Sequence, residues 1–128
     1  MPPSKTGSQD CVKGIGQALD LLPRLGVSTK STIVFDGAGG EERNRTSPLD
    51  VTTFLRAVSQ EPWGSAFHDG MAILGVDSTQ ATNQAGTPAA GYVRVKDGVR
   101  AFAADYQGLL SEAGQVGYME AKSGRRLV

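Results

Sequence analysis

The sequence predicts an α/β fold of the α+β type, with helices packed on an antiparallel sheet. Two helices are indicated in the first half of the chain. One is marked by apolar residues at spacings of three and four, and the other by a complete start signal at residues 47–50. The last third alternates β-branched and aromatic residues with turn residues, which is typical of antiparallel strands joined by hairpins.

The composition allows one core and excludes several classes of function. The 128 residues are enough to bury roughly two thirds of the unfolded surface, so we expect a single domain over 10–128 after a flexible lead-in over 1–9. Thirteen basic and thirteen acidic residues cancel. Since no basic stripe is present, no nucleic acid partner is expected. No apolar run approaches the ~20 residues of a membrane helix, so we expect no membrane span.

Metal and cofactor chemistry is not indicated. One cysteine, Cys11, and one histidine, His68, are too few for a zinc site built from Cys and His ligands, and no cofactor is expected. His68 lies beside Asp69, yet no serine nucleophile motif such as Gly-x-Ser-x-Gly accompanies the pair. We therefore expect a surface histidine without a catalytic role.

The first predicted helix begins at Cys11 and presents one apolar face, made of Val12, Ile15, Leu19, Leu22 and Leu25. Pro23 should end or kink this helix, and Gly26 suits the position just after its end. The short β-branched and apolar run Thr32–Phe35 predicts a strand. The glycine-rich turn Asp36–Gly40 follows, and without Gly-Lys-Ser/Thr it does not fit a phosphate loop.

The second predicted helix has the clearest start in the chain. Ser47 is a preferred N-cap residue, Pro48 suits the first helical position, and Asp50 lies at the positive end of the helix dipole. Glu61-Pro62 should end this helix, because the residue before a proline avoids helical geometry. Residues 63–69 then predict one further short helical turn.

The last third of the chain predicts strands. One strand runs from Tyr92 to Gly98 and another from Gln115 to Ala121, and residues 99–106 either continue the first or begin a third. The turn Lys122–Arg125 leads into a last strand at 126–128, which begins as the chain ends. Because three residues are fewer than the usual five or six of a strand, we expect the chain to be a segment of a larger protein.

Four stretches match, in order and spacing, the segments of one known family. A helix ends in Leu-Gly-Val and leads to Asp-Gly-Ala-Gly, Arg-Asn-Arg-Thr-Ser-Pro precedes the second helix, and Asp77-Ser78-Thr79 stands where the family has Asp-Gly-Thr. The fourth stretch is the strand at 91–98 with the later strand and hairpin at 117–125. In these features the chain resembles the serine D-Ala-D-Ala carboxypeptidases of the S13 type, over roughly residues 10–128.

The resemblance implies the C-terminal half of a penicillin-recognising domain, a partial serine β-lactamase/transpeptidase-like fold. In such enzymes the serine of a Ser-x-x-Lys motif attacks the D-Ala-D-Ala carbonyl. A Lys-Thr-Gly strand binds the substrate's carboxylate and aligns the substrate by β-type pairing, because an anionic chain end needs a cation and hydroxyl donors. Lys96, Asp97 and Gly98 stand at that strand and are therefore the candidate substrate-binding residues.

Asp97 departs from the family's motif, because its carboxylate replaces the hydroxyl of threonine. Like charge beside the substrate's carboxylate raises the cost of binding it. For Lys96–Gly98 an ordinary hairpin turn stays open as the alternative, since Asp-Gly is a favoured turn pair. The letters Lys-Thr-Gly also occur at 5–7, but no strand surrounds them, so no substrate strand is predicted there.

Two functions stay open at this point. The first is a fragment or degenerate member of the D-Ala-D-Ala carboxypeptidase family, acting on peptidoglycan stem peptides and binding β-lactams when joined to its missing half. Ser-x-x-Lys is absent from the 128 residues, so no catalytic residue is assigned. The second is a non-catalytic binding or structural module with the same fold. The resemblance implies an extracytoplasmic location, although no signal peptide is visible, and an exposed sheet edge would allow a homo-oligomer.

Overall fold

In a computed structural model of the protein, the α-helices lie within residues 5–69 and a four-stranded antiparallel sheet lies within residues 72–127. The structure describes the backbone of residues 5–104 and 108–128 and the side chains of residues 12–99 and 113–128. The predicted α+β fold class is confirmed. The chain forms two compact units, Met1–Ala57 and Val58–Val128, and each has its own internal organisation.

The helices are α1, α2 and α3, which span Lys5–Leu21, Pro48–Val58 and Gly64–Asp69. Single 3₁₀ turns lie at Leu22–Leu25 and Ser78–Gln80. The strands are β1, β2, β3 and β4, which span Ala72–Ile73, Val93–Ala104, Gly108–Glu120 and Arg126–Leu127. They lie side by side in that order, and each neighbouring pair is antiparallel. None of the helices in the described part of the chain has the length and apolarity that crossing a bilayer requires.

Helix α1 begins earlier than predicted and ends where predicted. It starts at Lys5, six residues before Cys11, so it includes part of the predicted lead-in, whose residues 1–4 lie outside the described part. The Lys-Thr-Gly letters at 5–7 are helical, as expected for a stretch that is no substrate strand. The helix gives way at Leu21 to the 3₁₀ turn that holds Pro23. Gly26 ends that turn at φ 75°, the left-handed geometry that glycine adopts without strain.

The predicted apolar face of α1 is only partly buried. Leu25 lies in the core of the first unit, but Val12 at the other end is 68% exposed. From the spacing alone, each of the five apolar residues is equally expected to be buried. The fold favours the C-terminal end, where the chain turns through Gly26 to the buried Val27.

The strand predicted at Thr32–Phe35 is wrong. The segment forms a single bridge, in which Ile33 exchanges backbone hydrogen bonds of 2.7 and 2.9 Å with Arg45. The Asn44 side chain then accepts the Phe35 amide at 2.7 Å and the Asp36 amide at 3.3 Å. Since a side chain satisfies these donors, no second strand is needed, and the ladder stops after one step.

The turn after this segment is closed onto its own aspartate. The Asp36 carboxylate accepts the Gly39 amide at 2.6 Å and the Asn44 side-chain amide at 2.9 Å. The hydrogen bond from Asn44 is the main cause that lowers the pKa of Asp36 below its ordinary value. The Asp36 carboxylate thus closes the turn through hydrogen bonds within the chain.

Helix α2 begins as predicted, and its first turn anchors the preceding segment. Ser47 accepts the Asp50 amide at 3.1 Å and donates its hydroxyl to the Asp50 carboxylate at 2.8 Å. The same carboxylate oxygen accepts hydrogen bonds from the hydroxyls of Ser31 at 2.5 Å and Thr32 at 3.2 Å. Asp50 is 5% exposed, and the hydrogen bonds from Ser31 and Ser47 lower its pKa. The helix ends at Val58, shortly before the predicted stop at Glu61-Pro62.

In the second unit a short helix and a long hairpin surround a small core. Helix α3 confirms the helical turn predicted at 63–69. The core of this unit is formed by Val58, Met71, Leu74, Val95 and Tyr118. Of the two predicted alternatives for residues 99–106, the structure shows the first, because strand β2 continues to Ala104, while residues 105–107 lie outside the described part. Strand β3 begins at Gly108, before the predicted Gln115.

The close approach of β2 and β3 depends on one glycine. Gly117 lies directly opposite the buried Val95, and a Cβ built on Gly117 would clash with the carbonyl oxygen of Arg94.

The turn predicted at Lys122–Arg125 is confirmed, because the Gly124 amide donates to the Ala121 carbonyl at 2.8 Å and β4 then pairs with β3.

We expect Gly117→Ala to lower the free energy of unfolding by about 1–3 kcal/mol, the usual cost of overpacking, because β2 must move away from β3. Gly114→Ala is the matched control on the same strand, since a Cβ there meets no atom within 4 Å. It should be neutral or stabilise the chain by up to ~1 kcal/mol. Urea unfolding followed by circular dichroism measures both, and equal stabilities of the two variants would contradict the argument.

The acid stability of the first unit should depend on Asp50. Its pKa is lowered in the folded chain from the ordinary 3.8, so its contribution is fully present above that value and is lost as the pH falls through the folded pKa. Asp50→Asn cannot titrate. We expect this variant to be less stable near neutral pH and to lose less stability than wild type between about pH 6 and about pH 2.5. An unchanged difference between the two urea midpoints would contradict this role.

Candidate functional site

The three residues predicted to bind substrate lie in the middle of β2. In the pairing with β3, Lys96 is opposite Val116, Asp97 is opposite Gln115 and Gly98 is opposite Gly114. The backbone is extended through all three residues. The alternative of a hairpin turn at this point is therefore wrong. The pair Asp97-Gly98 does not fold back because β3 supplies a continuous partner for twelve residues of β2.

Strand β1 covers only part of the other edge of β2. It is two residues long and pairs with Arg94 and Val95. The Leu74 amide donates to the Val93 carbonyl at 2.9 Å, which turns the backbone groups of Val93 toward β1. Because these groups alternate along a strand, Asp97 turns its amide and carbonyl to the same side.

The register leaves this edge open at Asp97. The next position of β1 would place Gly70 opposite Asp97, but Gly70 caps α3 and donates its amide to Ala66 at 3.0 Å. Among the described residues no strand pairs with β2 on this side beyond Val95. The edge at Asp97 thus presents one donor and one acceptor toward a neighbouring strand.

A groove of 530 Å³ runs along the open edge. The strand edge forms one wall with Val95, Lys96 and Asp97. The remaining walls come from the end of α3, the start of β1 and the 3₁₀ turn, with Ala66, Phe67, Gly70, Met71, Ala72, Ser78 and Thr79. The groove is therefore mostly apolar, with one cation, one carboxylate and two hydroxyls.

Lys96 and Asp97 interact with each other across the edge. The Lys96 side chain is 76% exposed, and its ammonium donates to the Asp97 carbonyl. The same nitrogen lies 4.0 Å from the Asp97 carboxylate, whose side chain is 33% exposed. The ammonium thus rests on the acceptor that the open edge presents, and the two opposite charges partly cancel within the groove.

No contact with the described residues requires glycine at position 98. A Cβ at this position would meet no atom within 4 Å, in contrast to Gly117 on the opposite strand. A glycine inside a strand weakens it, and one use of such a position is the close approach of a ligand or of another backbone. Among the described residues, nothing occupies the space beside Gly98.

Ser78 is a groove residue that the sequence-based assignment missed. Its backbone lies at φ 55°, a left-handed conformation that costs a residue with a Cβ roughly 1–2 kcal/mol. The signal was present in the sequence, because Ser78 stands where the family has glycine in Asp-Gly-Thr. Asp77 fixes one end of the turn by accepting the Ile73 amide at 2.7 Å.

The other end of this turn is tied to β3. Gln80 is buried. Its side-chain oxygen accepts hydrogen bonds from the side-chain amides of Gln115 at 3.2 Å and Asn83 at 2.8 Å. Gln115 is the residue directly opposite Asp97, and directly opposed side chains share a face of the sheet. The turn that carries Ser78 is therefore held over the face on which Asp97 lies.

His68 is not the surface residue that was predicted. Its side chain is only 16% exposed, and its ring centroid lies 5.4 Å from that of Tyr118. The Nδ1 atom lies 3.0 Å from the Asp69 carboxylate, and this hydrogen bond is the main cause that lowers the pKa of Asp69. Burial raises the pKa of Tyr118. His68 thus packs α3 on the sheet, because its ring covers the buried Tyr118.

No metal centre is present among the residues that the structure describes, since no group of three His, Cys, Asp or Glu side chains comes together there. The groove brings together an open strand edge, the Lys96 ammonium and the hydroxyls of Ser78 and Thr79.

One of three comparisons with known proteins found a match. The model of the D-Ala-D-Ala carboxypeptidase 3 (S13) family matches residues 5–128, which include all four strands and the whole groove. No curated protein and no solved structure was found to match the chain. The family match covers nearly the full length and is the same family that the sequence motifs resemble. The chain therefore belongs to the D-Ala-D-Ala carboxypeptidase 3 (S13) family.

Proposed function

We propose that this chain holds the end of a peptidoglycan stem peptide for a D-Ala-D-Ala carboxypeptidase-type reaction. The observation that carries the proposal is the open edge of β2 at Asp97, which lines a groove. An extended peptide adds to such an edge as a further strand, and its main-chain hydrogen bonds provide affinity. The Asp97 amide and carbonyl are the groups that would pair with it.

Gly98 and Lys96 support the same use of the edge. The space beside Gly98 is open, so a peptide backbone can approach there without meeting a side chain. The Lys96 ammonium is largely exposed and would turn from the Asp97 carbonyl to the carboxylate of an arriving peptide. This movement leaves no buried charge unpaired, because the groove is open to solvent at this point.

The reaction needs a nucleophile that these residues do not supply. In the family the serine of a Ser-x-x-Lys motif attacks the carbonyl, and the 128 residues contain no such motif. We infer that the serine and its lysine belong to a part of the protein outside this chain. The completed site would act outside the cytoplasm, in the periplasm or cell envelope, where peptidoglycan lies, and β-lactams would compete for the same groove.

A non-catalytic binding module with this fold is the second candidate, and Asp97 favours it. A carboxylate in the groove repels the anionic end of a D-Ala-D-Ala peptide, and so weakens the contacts that align it for attack. The two candidates differ in one covalent step. A labelled penicillin that forms an adduct with the parent protein supports the hydrolase, whereas peptide binding without an adduct supports the module.

A second copy of the chain would be a competing occupant of the open edge. Exposed strand edges pair with one another unless something discourages it, and a lysine on the edge is one such device. We propose that copies associate weakly through Asp97 and that a bound peptide displaces the second copy. Light scattering with and without peptide reports this exchange.

Two substitutions of Asp97 test the edge pairing. Asp97→Pro removes the edge-facing amide and leaves the hydrogen bonds to β3 in place, because prolines are tolerated on edge positions. We expect it to abolish binding of diacetyl-L-lysyl-D-alanyl-D-alanine in an amide NMR titration. Asp97→Ala keeps the amide and serves as the control, which should bind at least as well as wild type. Binding by the folded proline variant would rule out pairing through this edge.

The chain by itself should not hydrolyse the same peptide. Since no activated serine accompanies the groove in these residues, we expect release of D-alanine at the rate of buffer alone. A coupled assay for free D-alanine measures this rate. Turnover above buffer by the purified chain, unaffected by Asp97→Pro, would contradict the assignment of a purely substrate-holding role.

A further inference from the structure

The groove lacks a hydroxyl at the position where the binding of a peptide end calls for one. An ionised carboxylate accepts hydrogen bonds and does not donate them, so the side chain of Asp97 offers no hydrogen bond to a terminal carboxylate. The Lys96 ammonium supplies charge, but it is shared with Asp97 at 4.0 Å. A peptide end bound here needs a hydroxyl donor from another wall of the groove.

Two such donors lie on the wall formed by the 3₁₀ turn. Ser78 and Thr79 both line the groove and are exposed. Within the described part of the chain, neither hydroxyl makes a hydrogen bond. The turn is held at Asp77 by β1 and at Gln80 by the residue opposite Asp97. The two hydroxyls therefore lie on the same face of the sheet as Asp97.

The backbone of Ser78 gives an independent reason to assign it a role. At φ 55° a glycine would be unstrained, whereas serine is not. The Ser78 carbonyl accepts the Ala81 amide at 3.3 Å in this turn, but the strained conformation gives the Ser78 hydroxyl no hydrogen-bond partner within the described residues. Strained residues of this kind occur at ligand-binding positions that the surrounding structure holds in place.

We propose that the Ser78 hydroxyl, with Thr79 beside it, donates a hydrogen bond to the terminal carboxylate of the bound peptide. It thereby replaces the hydroxyl that Asp97 does not supply. This inference rests on the proposed function of the groove and names the residue that recognises the substrate's charged end. A hydroxyl bound to a carboxylate forms a short and strong hydrogen bond, and Lys96 neutralises the remaining charge.

The test compares four forms of the chain: wild type, Ser78→Gly, Ser78→Ala and Gln84→Gly. Ser78→Gly removes the hydroxyl and also the backbone strain, so it should be at least as stable as wild type and yet bind less well. Ser78→Ala removes the hydroxyl and keeps the strain. Gln84, at φ 59°, is the matched control, because its change to glycine relieves the same kind of strain away from the groove.

The probe is diacetyl-L-lysyl-D-alanyl-D-alanine, used with a free carboxylate and as the carboxamide. We expect Ser78→Gly and Ser78→Ala to weaken binding of the carboxylate form by about 10- to 100-fold, the range for one lost hydrogen bond to a charged group. Gln84→Gly should bind as wild type does. The carboxamide should bind less tightly to wild type and lose less affinity on substitution of Ser78.

A double substitution tests whether Ser78 replaces a donor at position 97. In an Asp97→Thr background the threonine restores the donor, so the loss on Ser78→Ala should shrink to less than half. An equal loss in both backgrounds would overturn the replacement. If both Ser78 variants bind as wild type does, the inference fails while the proposed function stands. If wild type itself does not bind the carboxylate peptide, the proposed function fails as well.

Discussion

The register between β2 and β3 is the constraint on which the candidate site depends. Gly117 allows the two backbones to approach so closely that the Arg94 carbonyl lies where a side chain would otherwise be. Val95 is buried directly opposite. Because backbone groups alternate along a strand, this register turns the amide and carbonyl of Asp97 to the free edge. A slip of one residue would give that edge to Lys96 or Gly98 and would reverse the faces of the sheet.

Because β1 is short, the open edge of β2 lines a groove. Gly70 is held at the end of α3 by its bond to Ala66, so the chain enters β1 too late to pair with Asp97. The 3₁₀ turn is fastened between Ile73 and Gln115 and forms a second wall. The groove therefore exists because one strand ends early and a polar loop is fixed beside it.

In the first unit, side-chain hydrogen bonds hold a segment that has little strand pairing. Its chain makes little regular structure between residues 26 and 47, and side-chain acceptors replace the missing ladders. Asp50 collects three hydroxyls at the start of α2, and Asn44 takes two backbone amides near Asp36. Buried or half-buried acceptors thus hold a segment whose sequence resembles a strand, in the absence of a partner strand.

The sequence by itself determined the features that obey local rules. Ser47 and Pro48 start a helix, Gly26 ends one, and Lys122–Arg125 turns a hairpin, because each depends on the conformational preference of a few neighbouring residues. The four stretches that match the S13 family in order and spacing also identified the family. Only the tertiary structure decided that Asp97-Gly98 stays extended, that His68 is covered, and that Ser78 faces the groove in a strained conformation. These outcomes depend on which strand pairs with which, and at what register. Such pairings join residues far apart in the chain, so no local pattern contains them.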